Sequence, residues 1–338
     1  MTIAENASLK PYNTFGIDAK ARFMSSFDGH VQLAEILNDP RIAELPFMVL
    51  GGGSNVLFTG DYQGLILKNE VTGIDLVGED ADHYYVKAGA GENWHSFVLH
   101  ALRNGWAGLE NLSLIPGNVG ASPMQNIGAY GVEVKDRFHS LEAYEIENGN
   151  LKTFDAASCQ FGYRESIFKQ TVKGKYIILN VTFRLFKRSK LNTTYGAIAD
   201  ELAKLGISNP GINDVSRAVI NIRNSKLPNP AELGNAGSFF KNPLISASQF
   251  ELLQGSHPDI PHYPAPNGDV KLAAGWLIEH AGWKGKRLGN CGMHAKQALV
   301  LVNYGGATGE EIWAHSEAVK NEVYAKYGVE LEREVNII

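Results

Sequence analysis

Residues 115–131 read IPGNVGASPMQNIGAYG, and the fold turns on that stretch. Gly117, Gly120, Gly128 and Gly131 are separated by amides, a serine and apolar side chains. The mixture is too apolar for a solvated loop. It suits a buried loop laid against a flat ligand, its backbone groups either satisfied internally or offered to that ligand. Upstream, an apolar run over 45–50 ends in Gly51-Gly52-Gly53 and resumes at Asn55-Val56-Leu57-Phe58, giving strand, glycine loop, strand. A dinucleotide fingerprint would need glycine at position 56 and a helix after it. Val56 stands there and a strand follows. The loop is then either a tight turn or a nest of successive N–H groups for a pyrophosphate.

Moving outward, the pattern predicts strands over 64–68 and 84–88. It also predicts an amphipathic helix in which Trp94, Phe97, Val98, Ala101 and Leu102 form a stripe closed by Gly105. Over 175–186, Ile177, Leu179, Val181, Phe183 and Leu185 are expected on one face, opposite Thr182 and Arg184, as in a half-buried antiparallel strand. Polar residues 187–192 suggest a subdomain junction, and Pro228 and Pro230 an inter-domain connection over 224–231. A helix over 272–281 and a strand over 298–303 follow, then a helix over 309–327 with Ile312, Val319, Val323 and Tyr327 along one stripe. After Gly328 the chain is expected to close with a strand in which Val329, Leu331, Arg333, Val335 and Ile337 share a face, opposite Glu330, Glu332 and Glu334. Helices and strands intermix without regular βαβ alternation, so the class is α+β.

The 338 residues are 44% hydrophobic and 20% charged, an ordinary globular balance with room for more than one domain. A net charge of −5 argues against a dedicated nucleic-acid binder. No apolar run reaches the roughly 20 residues of a membrane helix. The opening MTIAENASLKPYNTFG lacks the basic and apolar blocks of a secretory signal, and Cys159 and Cys291 are isolated, so a reducing, cytoplasmic setting is expected. No histidine or cysteine spacing suits a metal, so no metal site is expected.

Three short motifs could carry chemistry or be ordinary structure. Phe161-Gly162-Tyr163-Arg164-Glu165-Ser166 offers either a surface ion pair or a guanidinium fork for a carboxylate or enolate. Asn235-Ala236-Gly237-Ser238-Phe239-Phe240 sets Ser238 among small and bulky apolar neighbours, as a turn serine or as a hydroxyl in a dry pocket. No nucleophile elbow surrounds it. Glu334 is either one of three solvated carboxylates or a carboxyl beside a ligand.

Taken in order, Asn13-Thr14-Phe15-Gly16, LGGGSNVL over 50–57, residues 115–131, FGYRES over 161–166, Thr194-Tyr195-Gly196, Ile222-Arg223, Lys226-Leu227-Pro228, GNAGSFFKNP over 234–243, Ala281-Gly282-Trp283-Lys284-Gly285, Gln297-Ala298-Leu299 and Glu334-Val335 resemble the UDP-N-acetylenolpyruvoylglucosamine reductase (MurB) family. The resemblance covers nearly the whole chain. It implies a FAD-binding domain of the vanillyl-alcohol-oxidase (PCMH) type in two subdomains, 1–72 and 73–226, and a C-terminal α+β substrate domain at 227–328. Residues 329–338 are expected to rejoin the first subdomain.

The same resemblance implies non-covalent FAD held by Gly51, Gly52, Gly53, Ser54, Asn55, Gly117, Ser122, Asn126, Gly128, Gly131 and Arg223, with NADPH as hydride donor. Hydride would pass from flavin N5 to the vinyl CH₂ of the enolpyruvyl group of a UDP-sugar. Arg164 would stabilise the enolate, Glu334 would stay protonated to donate to its carboxylate, and Ser238 would protonate the carbanion carbon. Tyr195, Lys226, Asn242 and Gln297 are implied substrate or nicotinamide contacts, Tyr195 as the tyrosine that closes over the substrate. A monomer or weak oligomer is expected. The sequence departs from the family pattern at Asn336, where Glu-Val-Arg is usual, and it stops somewhat early at Ile338, so the last strand is expected to be less firmly held. A sugar or alcohol oxidase of the same flavin fold, or a non-catalytic nucleotide-sugar binder, would share much of this pattern.

Overall fold

A computed structural model describes residues 2–338. The chain divides into two compact units. The first comprises residues 2–7, Ala21–Gly52 and Gln63–Ser225, and the second Ser8–Lys20, Gly53–Tyr62 and Lys226–Ile338.

The first unit contains two larger sheets and a two-stranded ribbon of Gly128–Ala129 with Val132–Glu133. One is four-stranded, in the order Ala4–Ser8, Lys20–Phe27, Tyr62–Asn69, Phe47–Leu50, the last two strands parallel. Helix His30–Leu37 packs Leu33 and Ile36 into a core with Phe23, Phe27, Leu65 and Leu67. The other sheet is five-stranded and antiparallel, in the order Leu151–Asp155, Phe138–Glu145, Tyr176–Phe186, His83–Gly89, Ile74–Glu79. Helix Trp94–Arg103 covers it with the expected stripe of Trp94, Phe97, Val98, Ala101 and Leu102, all buried. It starts where the Asn93 side chain accepts the Ser96 N–H at 3.0 Å, satisfying a donor the helix leaves free.

The single apolar face expected for the long strand is not what forms. Ile177 and Leu179 enter the core with Phe23 and Leu33, whereas Ile178, Val181, Phe183 and Leu185 enter the one with Trp94 and Phe97. The cause is a slipped register. Glu142 pairs with Asn180 but Ala143 pairs with Ile178, leaving Leu179 as the extra residue of a bulge that exchanges the two faces. The Leu179 carbonyl accepts the Ala90 N–H (2.9 Å), and the Ala90 carbonyl accepts the Gly120 N–H (2.9 Å), so the bulge seats the 117–131 loop. The pattern also missed two helices, Gly196–Lys204 and Ile212–Lys226, which pack Ile198 and Leu202 against Val215, Val219 and Ile222.

The second unit is built on an antiparallel sheet, Gly234–Ser238, Val300–Asn303, Cys291–Met293, Arg287–Leu288. Helix Gly309–Tyr327 lies with it, opened by a Thr308/Glu311 capping box and closed by Gly328 in the left-handed region at φ +63. Ile312, Val319, Val323 and Tyr327 are buried, as the stripe required. The expected helix over 272–281 is shorter, at Ala274–His280, because Leu272 ends the strand Val270–Leu272 and the Asn242 side chain caps the Ala274 N–H at 3.0 Å.

The expected closing strand also needs correction. Burial alternates as predicted, with Val329, Leu331 and Val335 inside. Regular pairing, however, is confined to Asn336–Ile337, parallel to Val56–Leu57, and to one bridge between Phe240 and Arg333. The bridge carries Glu334 N–H to Phe239 O (2.8 Å) and Lys241 N–H to Glu332 O (2.9 Å). It cannot lengthen. Pro243 has no N–H where the next bond would form, and the Phe239 N–H is given to Leu299 O at 2.8 Å. No helix among the described residues is long and apolar enough to cross a membrane.

Candidate active site

In the first unit the glycine loops are pressed backbone to backbone. A Cβ on Gly52 would lie 2.8 Å from Gly117 Cα and 2.9 Å from Asn118 Oδ1. One on Gly120 would lie 2.6 Å from Ala90 Cβ. Lys68 Nζ donates to the Gly51 carbonyl at 2.6 Å, and burial pulls its pKa below the usual lysine value. Side chains are excluded where these loops meet. That suits a pyrophosphate, which takes backbone N–H groups.

Arg164 sits at the tip of a tight turn in which Gly162 N–H bonds to Glu165 O at 2.9 Å. Its φ is +56, the left-handed region that side chains disfavour. From there its Nη2 donates to the Gly128 carbonyl at 2.8 Å. A Cβ on Gly128 would meet Arg164 Nη1 at 3.2 Å and Glu133 Cγ at 2.9 Å, so glycine keeps the guanidinium's place open. Asn126 is wholly buried, and its side chain works inward. It donates to Glu133 Oε2 (3.0 Å) and Gly162 O (2.9 Å) and accepts the Lys135 N–H (3.1 Å), tying the loop to the Arg164 turn. Ser122 is buried too and donates to Val119 O at 2.7 Å.

Arg223 projects from helix Ile212–Lys226, and its Nε donates to the Leu114 carbonyl at 3.1 Å. The Leu114 N–H in turn bonds to His95 Nδ1 at 2.9 Å, which fixes that nitrogen as an acceptor. Burial and the Arg223 charge both pull the His95 pKa down. Burial pushes the Tyr130 hydroxyl up against the opposing pull of Arg223. Tyr130 meets Tyr195 edge-on, with ring centroids 5.4 Å apart. Gly131 O accepts from Asn192 Nδ2 at 3.1 Å, bringing the end of the glycine loop to the segment before Tyr195.

In the second unit Ser238 ends the strand Gly234–Ser238, whose pairing with Val300–Asn303 slips between Asn235 and Ser238. Gly237 forms the irregularity at φ +71, its N–H bonded to Asn235 Oδ1 at 2.9 Å. The bulge re-aims Ser238. The strand is anchored at its start by Asn235 N–H to Thr14 O (3.0 Å), and Thr14 N–H reaches Gly53 O (3.0 Å). Gly53 must be glycine, because with φ +62 its Cβ would stand 1.9 Å from Tyr12 O. Glu334 is half-buried and its N–H bonds to the carbonyl next to Ser238. Its own carbonyl accepts from Asn55 Nδ2 at 3.2 Å. Thus Ser238, Glu334 and Asn55 are gathered by backbone contacts, and Arg164, Gly128 and Asn126 are gathered in the first unit.

Of the remaining expected contacts, Lys226 is the exposed last residue of its helix, and Tyr195, 49% exposed, precedes helix Gly196–Lys204. Asn242 Oδ1 is engaged by Ala274, and Gln297 Oε1 accepts the Leu299 N–H at 3.3 Å. Sequence reasoning passed over Tyr130, Asn118, His95 and Lys68. Tyr130 and Asn118 lie within the quoted loop, and their polar groups amid glycines were the available signal. His95 and Lys68 carried none. Among the described residues, no three His, Cys, Asp or Glu side chains are grouped to hold a metal ion.

Residues 28–155 match the family model described as FAD binding domain. Residues 229–338 match that of the UDP-N-acetylenolpyruvoylglucosamine reductase C-terminal domain. A UDP-N-acetylenolpyruvoylglucosamine reductase from Burkholderia ambifaria is 52% identical over 336 residues, spanning 99% of this chain and 96% of that protein. The one from Chromobacterium violaceum is 52% identical over 334 residues, 98% of each. The crystal structure of the Thermus caldophilus reductase matches with a TM-score of 0.69 at 23% identity, over 99% of this chain and 98% of that one, a likeness of fold.

Proposed function

Since the chain belongs to the UDP-N-acetylenolpyruvoylglucosamine reductase family, we propose that it reduces the enolpyruvyl group of UDP-N-acetylglucosamine enolpyruvate to UDP-N-acetylmuramate. The enzyme is a FAD-dependent oxidoreductase, and in this reading NADPH is its reductant. The setting is the cytoplasmic synthesis of peptidoglycan precursor. Residues 1–72 and 73–226 serve the flavin, and 227–328 the substrate.

The glycine loops of 51–53 and 117–131, with Arg223, would hold FAD, whose chemistry there would be hydride donation to the substrate's CH₂ carbon, leaving an electron pair on the adjacent carbon and its carboxylate. In a site screened from water that charge is costly unless opposite charge and donors already stand in place. Arg164 is the fixed cation, oriented by Gly128 O. Glu334 in its protonated form donates to the carboxylate. Ser238 gives its hydroxyl proton to the carbanion carbon and regains one from solvent, completing addition of H⁻ and H⁺ across the double bond. Tyr195 closes over the substrate, with Lys226, Asn242 and Gln297 as its polar contacts.

The observation that carries this reading is the Glu334 N–H to Phe239 O bond at 2.8 Å, which places the carboxyl-bearing residue beside the peptide that follows Ser238. A Ser238→Ala variant tests it. NADPH should still bleach its flavin, while substrate-dependent turnover falls by about 10²–10⁴-fold, the share of a positioned proton donor. Collapse of flavin reduction in the same variant removes Ser238 from that role.

A further inference from the structure

Glu334 has no regular ladder to hold it, yet its backbone is fixed at both ends. Its N–H bonds to Phe239 O at 2.8 Å, and its carbonyl accepts from Asn55 Nδ2 at 3.2 Å. Asn55 is itself held by the same terminal segment. Its carbonyl accepts from both the Asn336 N–H (3.1 Å) and Asn336 Nδ2 (2.9 Å). The two amides form a reciprocal bracket. Asn55 reaches from the glycine loop to residue 334, and Asn336 reaches back from the terminal segment to residue 55. Beyond it, Ile338 N–H bonds to Leu57 O (2.9 Å), and Thr59 donates twice to Ile338 O, from N (2.8 Å) and Oγ1 (2.7 Å).

Any residue but proline at 336 would keep the backbone bond. Only a side chain with a donor at amide reach adds the second one, and that second bond limits rotation of the Asn55 peptide. A carboxyl that acts by donating to a substrate carboxylate depends on its position within fractions of an ångström. We infer that Asn336 is a positioning residue for Glu334, acting through Asn55, an inference that rests on the function proposed for Glu334. Asn336 is exposed at the surface, so its role is to orient the bracket.

The test uses the full-length holoenzyme and its ligand-free form, with Asn336→Ala and Asn336→Asp, the second keeping the shape but not the donor. Flavin is first reduced by NADPH, then mixed with the enolpyruvyl UDP-sugar. Both variants should reoxidise it about tenfold more slowly than wild type, short of the hundredfold that a full ångström of misplacement can cost. Flavin reduction should stay within about twofold, the bracket having no part in it. In ligand-free protein the Glu334 amide should exchange about tenfold faster, because its local tether is weakened. Unchanged exchange in both variants overturns the bracket. Equal slowing of both half-reactions overturns the positioning role in favour of a merely structural one. Wild-type protein that fails to reoxidise with the UDP-sugar overturns the proposed function instead, and the exchange measurement then still decides the bracket.

Discussion

Arg164 combines a functional side chain with an unfavourable backbone. A non-glycine residue at φ +56 costs about 1 kcal/mol, and the Gly162–Glu165 turn with the Gly128 bond holds it there. Arg164→Gly should therefore melt no lower than wild type while substrate-dependent turnover drops at least about 10²-fold. A clear fall in melting temperature would show the turn to be held by the side chain instead. His315 offers a second test. It is buried against Trp283 with ring centroids 5.1 Å apart, and burial, aided by the Lys286 charge, pulls its pKa down to about 4. The unfolded chain takes up that proton at about pH 6.5, so stability is full above that value and lost as the pH falls toward 4. The loss is on the order of 2–3 kcal/mol, and His315→Phe should flatten it in urea titrations at pH 7 and pH 5. Residue type was legible in the sequence for Arg164, Ser238 and Glu334. Backbone strain and burial were not, because both depend on neighbours distant in the chain.

At the level of elements, the bulge at Leu179 shows what periodicity can and cannot carry. The odd-numbered apolar residues were read correctly as buried, but a one-residue slip sends Ile177 and Leu179 to a different core from Val181 and Phe183. Nothing in the alternation marks the slip. The terminal segment makes the converse point, since its alternation survives in burial without a sheet to cause it. Helix Ile212–Lys226 was legible in principle, as Val215, Ala218, Val219 and Ile222 stand at helical spacing, yet only its last three residues were read, as the start of a connection over 224–231. The seat that the bulge provides can be tested through Gly120→Ala. Its added methyl would meet Ala90 at 2.6 Å and should cost roughly 1–3 kcal/mol, with weaker flavin retention on gel filtration. Full stability and full flavin content would mean that the loop is seated elsewhere.

For the whole molecule, the two glycine loops and the three candidate catalytic residues were legible because they are contiguous motifs. Segments Ser8–Lys20 and Gly53–Tyr62 belong with residues 226–338, held through bonds such as Asn235 to Thr14 and Asn336 to Asn55. A fragment of residues 227–338 lacks those partners, and it should show a random-coil far-ultraviolet spectrum where the full chain is folded. A cooperative melt of the fragment alone would contradict this. The Asn336 to Asn55 bond joins positions 281 apart, and closing so long a loop is slow as well as entropically costly. Translation therefore runs against assembly. The ribosome releases residues 53–62 early, and they must wait in an unfinished state until residues 336–338 have been made.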